Sequence, residues 1–578
     1  MCGISGLISK KGYSECLQVV KRMTDIISHR GPDSDGHWSD NNRQVFFGHR
    51  RLSIIDLTTE ASQPMHYLNR YTIIFNGEIY NYVELKEVLQ KKGYKFQNNS
   101  DTEVLMALYH EHKENCLKLL DGMFAFAIYD NEEQAVFFAR DRFGEKPLYY
   151  SYSPEGNLLF SSEMKSLWVG GIKKDINSQM MFNYFQFNLL EDPSDKSATF
   201  FKDIYKFPAA HYCKLSLNYL KIEPKRYWNL EYNNRINNIS IDVATEKFRE
   251  LFYQSIQRRL RSDVPVGSSL SGGLDSSLIV SAVGNLDVAK KLVRNTFSAR
   301  FPGFERDESY FQDLVINKWN VEPHFIYPDH ETLMEKLEKV IFHQEEPFGS
   351  ASICAQYEVF EKAKAENVTV LLDGQGADEI LAGYHYYYYH YFNNLRRSNK
   401  SEYNREASEF SALYGKRYDN LYLQNSWQSS MKSLVPSTFK KHIKSMLNKS
   451  PGSVLNKDFL KANEKTINPS PEKFFSLNDI LAYDTCTYGL ETLLRYADRN
   501  SMAHSREVRL PFLNHELVEF VFSLPDNLKI KNGWSKWIMR SSFEDILPKE
   551  IAWRKDKVGY EPPQQKWFSN PRIQEKVE

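Results

Sequence analysis

The stretch Val264-Pro265-Val266-Gly267-Ser268-Ser269-Leu270-Ser271-Gly272-Gly273-Leu274-Asp275-Ser276-Ser277-Leu278-Ile279-Val280 decides the fold of the larger part of the chain. An apolar run over Val264–Leu270 stops at Ser-Gly-Gly, and Ser276–Val283 continues with helical spacing, so the segment reads as strand, turn and helix. Such a turn exposes successive N–H groups at a helix N-terminus, where the helix dipole favours an anion. Ser276 and Ser277 can cap that helix or donate to phosphate oxygens. Asp275 stands inside this cradle. A carboxylate there repels an anion unless a cation lies between, so Asp275 implies Mg²⁺ bridging carboxylate and phosphate. No Gly-Lys-Ser/Thr follows, which separates the turn from a Walker loop.

A second unit of the same kind supports the reading. Val368–Leu372 runs into Asp373-Gly374-Gln375-Gly376-Ala377-Asp378-Glu379, where Asp378 is the natural second Mg²⁺ ligand. Two such loops on adjacent parallel strands face one crevice at the strands' carboxyl ends. From about Asp242 the chain is therefore expected to be α/β with a parallel sheet, and beyond about residue 385 mostly helical. The lysine-rich run Lys432–Lys449 reads as a solvated helical face.

Before this the pattern differs. Gln44–Ile55, Tyr71–Tyr80, Met123–Asp130, Ala135–Phe143, Pro147–Tyr152 and Leu158–Ser162 are short, aromatic and β-branched, as antiparallel strands should be. Helical patterns near Tyr13–Ser28, Val83–Lys92 and Asp101–Lys113 make this part α+β. The Asn- and Asp-rich stretch 170–240 reads as a connector, and the boundary falls near residue 210, giving domains 2–210 and 211–578.

Composition limits the partners. The 578 residues carry 74 Lys+Arg against 74 Asp+Glu, without the basic excess that nucleic acid or an anionic membrane surface attracts. No segment reaches the ~18 apolar residues of a membrane helix, and the start lacks the basic region of a secretory signal. The six cysteines, Cys2, Cys16, Cys116, Cys213, Cys354 and Cys486, have no paired spacing and suit a reducing cytoplasm.

Cys2 is the second encoded residue. Removal of Met1 would place a thiol and a free α-amine on one residue, joining a nucleophile to its own base. Behind it come Ser28-His29-Arg30-Gly31-Pro32-Asp33, His49-Arg50-Arg51-Leu52-Ser53, Phe75-Asn76-Gly77-Glu78-Ile79-Tyr80-Asn81, Ser100-Asp101-Thr102-Glu103 and Ala139-Arg140-Asp141-Arg142-Phe143-Gly144. In this order, after Met-Cys-Gly-Ile, they resemble the glutaminase domain of class II glutamine amidotransferases, an N-terminal-nucleophile αββα fold. The resemblance makes Cys2 the nucleophile, with the Asn76 side-chain amide and the Gly77 backbone N–H as the oxyanion hole. It gives the α-carboxylate of glutamine to Arg51, with Arg50 the neighbouring alternative, and the α-ammonium to Glu78 and Asp101.

The two later loops resemble those of ATP pyrophosphatases, which make an acyl-adenylate. That resemblance assigns ATP to Leu270, Ser271, Gly272, Gly273, Asp275, Ser276, Ser277, Asp373 and Gly374, and Mg²⁺ to Asp275 and Asp378. In Trp553-Arg554-Lys555-Asp556-Lys557-Val558-Gly559-Tyr560, Lys557 matches the catalytic lysine. Asp498 and Arg499, in a segment resembling the substrate side, are expected near the acceptor together with Gln375. Over nearly its whole length the chain is similar to the glutamine-hydrolysing asparagine synthetase family.

Three departures bear on the acceptor. Gln375 stands where the family carries Glu in Ser-Gly-Glu-Gly, so this side chain cannot take a proton. Gly349-Ser350-Ala351-Ser352 replaces a Thr-Thr-x-Arg element, removing one clamp for a carboxylate. The run His385-Tyr386-Tyr387-Tyr388-Tyr389-His390-Tyr391-Phe392 follows the second loop and reads as helix packing or as a stacking surface for a sugar. Expected partners are glutamine, ATP and aspartate or another carboxylate such as a uronic acid, with a homodimer left open. A catalytically silent, nucleotide-binding homologue is a third reading.

Overall fold

Alternation along the strands builds the N-terminal part. In Gly122–Asp130, Phe124, Phe126 and Ile128 pack on one side with Val104, Leu105 and Leu108 of helix Asp101–His112. Ala125, Ala127 and Tyr129 point to the other side, against Ile4, Ile8, Phe47 and Phe160 of a second sheet. That second sheet has its own outer cover, where Leu7 and Phe46 meet Val20 and Met23 of helix Cys16–Asp25. The result is four layers, helix, sheet, sheet, helix, with every sheet pairing antiparallel. The structure, a computed structural model, describes residues 2–10, 15–232, 236, 239–286, 295–415, 455–463, 476–555 and 561–577. Lys557 and the segment Lys432–Lys449 lie outside the described residues.

The stretch 170–240 is more than a connector. It contains helix Ser178–Phe187 and strands Ile204–Lys206, His211–Ser216 and Lys225–Arg226. His211–Ser216 pairs with Ala135–Arg140 in the same sheet as Gly122–Asp130, with Cys213 and Leu215 buried. The first unit therefore continues past residue 210, and the crossing to the second falls between Arg226 and the helix Ile241–Arg259.

That helix opens a five-stranded parallel sheet in the order Glu322–Ile326, Asn295–Ala299, Val266–Ser269, Val370–Leu372, Glu507–Arg509. Val266–Ser269 and Val370–Leu372 are neighbours, so the two loops that follow them open side by side. Beyond the second loop, helix Tyr386–Ser398 buries Tyr387, Tyr388, Tyr391 and Phe392 completely. The hydroxyls of Tyr386 and Tyr387 both reach Asp484. The tyrosine run is thus mainly packing, each buried hydroxyl needing a partner.

The two units meet through buried charge. Arg30 of the first donates to Asp498 Oδ1 and Oδ2 of the second at 2.9 and 2.8 Å, and to Glu163 at 2.8 Å. Arg499 completes the network with Glu163 at 3.0 Å and Glu345 at 2.9 Å. Arg30, Glu163, Asp498 and Arg499 are all 2% exposed or less. The arginines beside Asp498 hold its carboxyl below the usual range even though burial pushes it up. Removing one partner strands a buried charge, at a cost of about 3–5 kcal/mol. Asp498→Ala should therefore lower the thermal unfolding midpoint sharply, by calorimetry, whereas a midpoint within a degree of wild type would show that the network contributes little.

Candidate active site

Cys2 lies buried immediately before the central strand Gly3–Ile8. Its backbone N–H donates to Asn76 Oδ1 at 3.0 Å. With that oxygen engaged, the Asn76 amide nitrogen is buried without a partner among the described residues. A buried donor left open is costly and marks a place for a bound group. Gly77 follows where a Cβ would sit 2.1 Å from the Met123 carbonyl oxygen, so no other residue fits that close strand contact. Burial pushes the Cys2 thiol up, with Glu507 acting in the same sense and the Leu52 N–H and Arg51 opposing. The resting thiol is therefore neutral and needs a base before it can act as a nucleophile.

Alternation along Val45–Arg51 separates the two arginines. Arg50 turns to helix Cys16–Asp25, donating to Thr24 O at 3.2 Å and pairing with Asp25. Arg51 is buried and braced by the carbonyls of Thr58, at 2.7 Å, and Asp56. Glu78 and Asp101 are buried as a pair, and Asp101 Oδ2 accepts the Ile79 N–H at 2.9 Å. Burial pushes Asp101 up to about 6 and raises Glu78 as well, the latter also through the charge of Asp101 and against the pull of Arg509. An ammonium placed between them would relieve that cost.

The second centre is a cavity of about 390 Å³ between the two loops of the parallel sheet, within the size of small-ligand sites. Leu270, Ser271, Gly273, Asp275 and Ser276 line it from the first loop, and Asp373, Gly374, Gln375 and Asp378 from the second. Gly272 instead packs on Glu308, at a backbone φ of +90°, and Ser277 is fully buried beneath the turn. Lys536 enters between the loops, 2.7 Å from Asp275 Oδ2 and 2.6 Å from Asp378 Oδ1. Burial alone would lower this lysine, and the two carboxylates raise it, so it stays charged. One cation thus already holds both aspartates. The pair supplies hard oxygens suited to Mg²⁺, which takes one or two carboxylates and completes its shell with phosphate and water.

Gln375 reaches the cavity with its Oε1 buried and unpartnered, and burial raises Asp373. Arg554 and Lys555 line the same cavity, next to the segment that holds Lys557. Asp498 and Arg499 do not approach it. They lie in the buried network between the units, because their helix, Leu490–Ala503, turns that face to Arg30 and Glu163.

Three residues without a local signal complete the picture. Lys536 has no motif around it, although its backbone φ of +54°, rare for a side chain of this size, marks a constrained position. Glu507 and Arg509 share one side of the edge strand and are wholly buried. Two charges spaced by two residues amid apolar neighbours were the available clue, since buried charge requires a partner. Their strand forms a wall of both centres: Arg509 Nη2 lies 3.5 Å from Glu78, and its carbonyl accepts the Asp373 N–H at 3.0 Å.

Residues 1–228 match a family described as a glutamine amidotransferase domain, and residues 247–578 match asparagine synthase. The chain belongs to the asparagine synthase family. It is accordingly an ATP-dependent, glutamine-hydrolysing amidotransferase. An asparagine synthetase [glutamine-hydrolyzing] 1 of Bacillus subtilis is 33% identical, the match covering 99% of this chain and 88% of the relative. A third synthetase of that organism is 32% identical over 96% and 86%. The amidase chry2 of Gibberella zeae is 28% identical over 99% and 90%. Among the described residues no helix is long and apolar enough to cross a membrane.

If Lys536 is the cation that balances Asp275 and Asp378, Lys536→Met should tighten binding of Mn²⁺ in the absence of nucleotide by roughly tenfold or more. Electron paramagnetic resonance titration reads this directly, and unchanged or weaker binding would count against the shared site.

Proposed function

We propose that this chain is a glutamine-dependent asparagine synthetase. The observation that supports it most is the strand Glu507–Arg509, which serves as a wall to the Cys2 centre and to the nucleotide cavity at once. After loss of Met1, the α-amine of Cys2 takes the thiol proton and the thiolate attacks the glutamine carboxamide carbon. The free N–H bonds of Asn76 and the Gly77 N–H receive the oxyanion, the Cys2 α-ammonium returns its proton to the departing nitrogen, and collapse to the thioester expels ammonia. Arg51 holds the α-carboxylate, and Glu78 with Asp101 hold the α-ammonium. Water then hydrolyses the thioester to glutamate.

In the second centre the aspartate carboxylate attacks the α-phosphorus of ATP, forming an acyl-adenylate and releasing pyrophosphate. The first-loop backbone, Lys536 and Lys557 bind the departing charge. Mg²⁺ on Asp275 and Asp378 would neutralise phosphate charge during this step. Ammonia arriving along a route closed to bulk water displaces AMP, and the amide forms with loss of one proton.

A second reading keeps the chemistry and changes the acceptor to another carboxylate, such as a uronic acid. The unpartnered Gln375 Oε1 favours it, since an amide there both donates and accepts toward neutral hydroxyls but removes no proton. Glutamine-driven pyrophosphate release over a panel of carboxylates decides between the two. Aspartate should turn over and yield asparagine. Turnover of a sugar acid alone would replace the first reading, and no turnover with no glutaminase activity would leave a silent nucleotide binder. Cys2→Ala should abolish glutamine use while sparing ammonia-dependent synthesis, and loss of both would contradict two separate centres.

A further inference from the structure

The glutamine site as the first domain builds it crowds buried carboxylates together, with the N-terminal amine, Arg51 and Lys146 as its own nearby positive charges. Glu78 comes from strand Tyr71–Ile79 and Asp101 from the helix after it, both buried, and Glu507 adds a third buried carboxylate from the other domain. All three influence one another, Glu507 raising both Glu78 and Asp101. Glu507 is stabilised as the anion by the N-terminal amine and Lys146 and acts on Cys2, while Glu78 and Asp101 act on Tyr82. The guanidinium set among them is that of Arg509. Its Nε donates to Glu507 at 2.6 Å, and Nη1 donates to the carbonyls of Arg259 and Arg261 at 2.8 and 2.6 Å. These three bonds leave Nη2, which is buried, without a hydrogen-bond partner among the described residues and 3.5 Å from Glu78 Oε2. Glu78 Oε1 is likewise buried and unpartnered.

We infer that Arg509, a residue of the synthetase domain, is a positioning residue for glutamine hydrolysis: placed 3.5 Å from Glu78, its guanidinium favours the carboxylate form of that side chain and orients it for the α-ammonium of glutamine, with Glu507 setting its angle. The inference rests on Glu78 and Asp101 being the ammonium site. Close carboxylates in a buried pocket depend on nearby cations to stay ionised, so loss of Arg509 shifts the glutamine-facing pair toward the protonated form at a given pH. Protonated, they no longer attract an ammonium. The bracing carbonyls fix the guanidinium plane, so its charge is presented to Glu78 from one direction only. Because the Arg509 carbonyl also accepts from Asp373, the residue that starts the second nucleotide loop, a shift of that loop on filling would be felt at Glu78 through one residue. The glutaminase centre is then completed by the domain that consumes its ammonia.

The test uses the full-length chain with Met1 removed, as Arg509→Met, Arg509→Lys and Glu507→Gln, measuring glutaminase kcat and KM from pH 5.5 to 9. In the wild type, KM for glutamine should climb as pH falls through about 6, where Asp101 becomes neutral. Arg509→Met should raise KM by about tenfold or more at pH 7 with kcat within about threefold. It should also move the climb to higher pH, and the inhibition constant of glutamate should rise in parallel with KM. Arg509→Lys should recover part of the loss. Glu507→Gln removes a negative charge and should move the climb the other way, to lower pH, a sign that simple loosening does not produce. Affinity for Mg-ATP reports whether the edge strand is in place, and if Arg509→Met loses it, the other two variants carry the test. Unmoved KM and pH profiles with Mg-ATP affinity retained would overturn the inference, as would equal falls in kcat with no pH shift. A wild type that hydrolyses no glutamine would instead remove the reading on which it rests.

Discussion

Charge buried between the two units is the constraint on which the arrangement turns. Arg30 donates through Nε to the carbonyl oxygen of Cys2 at 3.1 Å and with its other nitrogens grips Asp498 and Glu163. A guanidinium out of water is tolerated only when its donors are matched, so the position of Cys2 and the docking of the second domain are set together. Arg509 repeats the logic from the opposite side, its side chain answering Glu78 and Glu507 and its backbone joining the strand that leads to the second loop. Neither domain carries all the partners for its own buried charges.

The same constraint suits the chemistry. Ammonia is nucleophilic only as the neutral molecule, and water would protonate and dilute it, so the two centres must be close and closed. The strand Glu507–Arg509, held by buried ion pairs, contacts residues of both centres. On the nucleotide side Lys536 plays a comparable part, keeping Asp275 and Asp378 together where two loops from different strands meet.

What could be read from the sequence was local. The Ser-Gly-Gly and Gly-Gln-Gly turns, the strands that lead into them and the opposed faces of Arg50 and Arg51 all follow from spacing within a few residues. The misses were strands, the central Gly3–Ile8 among them, and long-range pairs. Ile204–Lys206 and Lys225–Arg226 are too short to show alternation, and His211–Ser216 was masked by its polar surroundings although Cys213 and Leu215 mark its inner face. Lys536 lies 261 residues from Asp275, and Arg30 lies 468 from Asp498, so no local pattern announces either pair. Asp498 and Arg499 show the converse, a segment whose family resemblance pointed to substrate while its burial serves the seam.

The central claim is that one chain makes ammonia at Cys2 and spends it at the nucleotide cavity without release. Supply glutamine labelled with ¹⁵N in its amide, Mg-ATP, the accepted carboxylate and a large excess of unlabelled ammonium, and measure the isotope in the product amide by mass spectrometry. The account predicts product carrying predominantly ¹⁵N. An amide whose isotope content matches the bulk ammonium pool would contradict it.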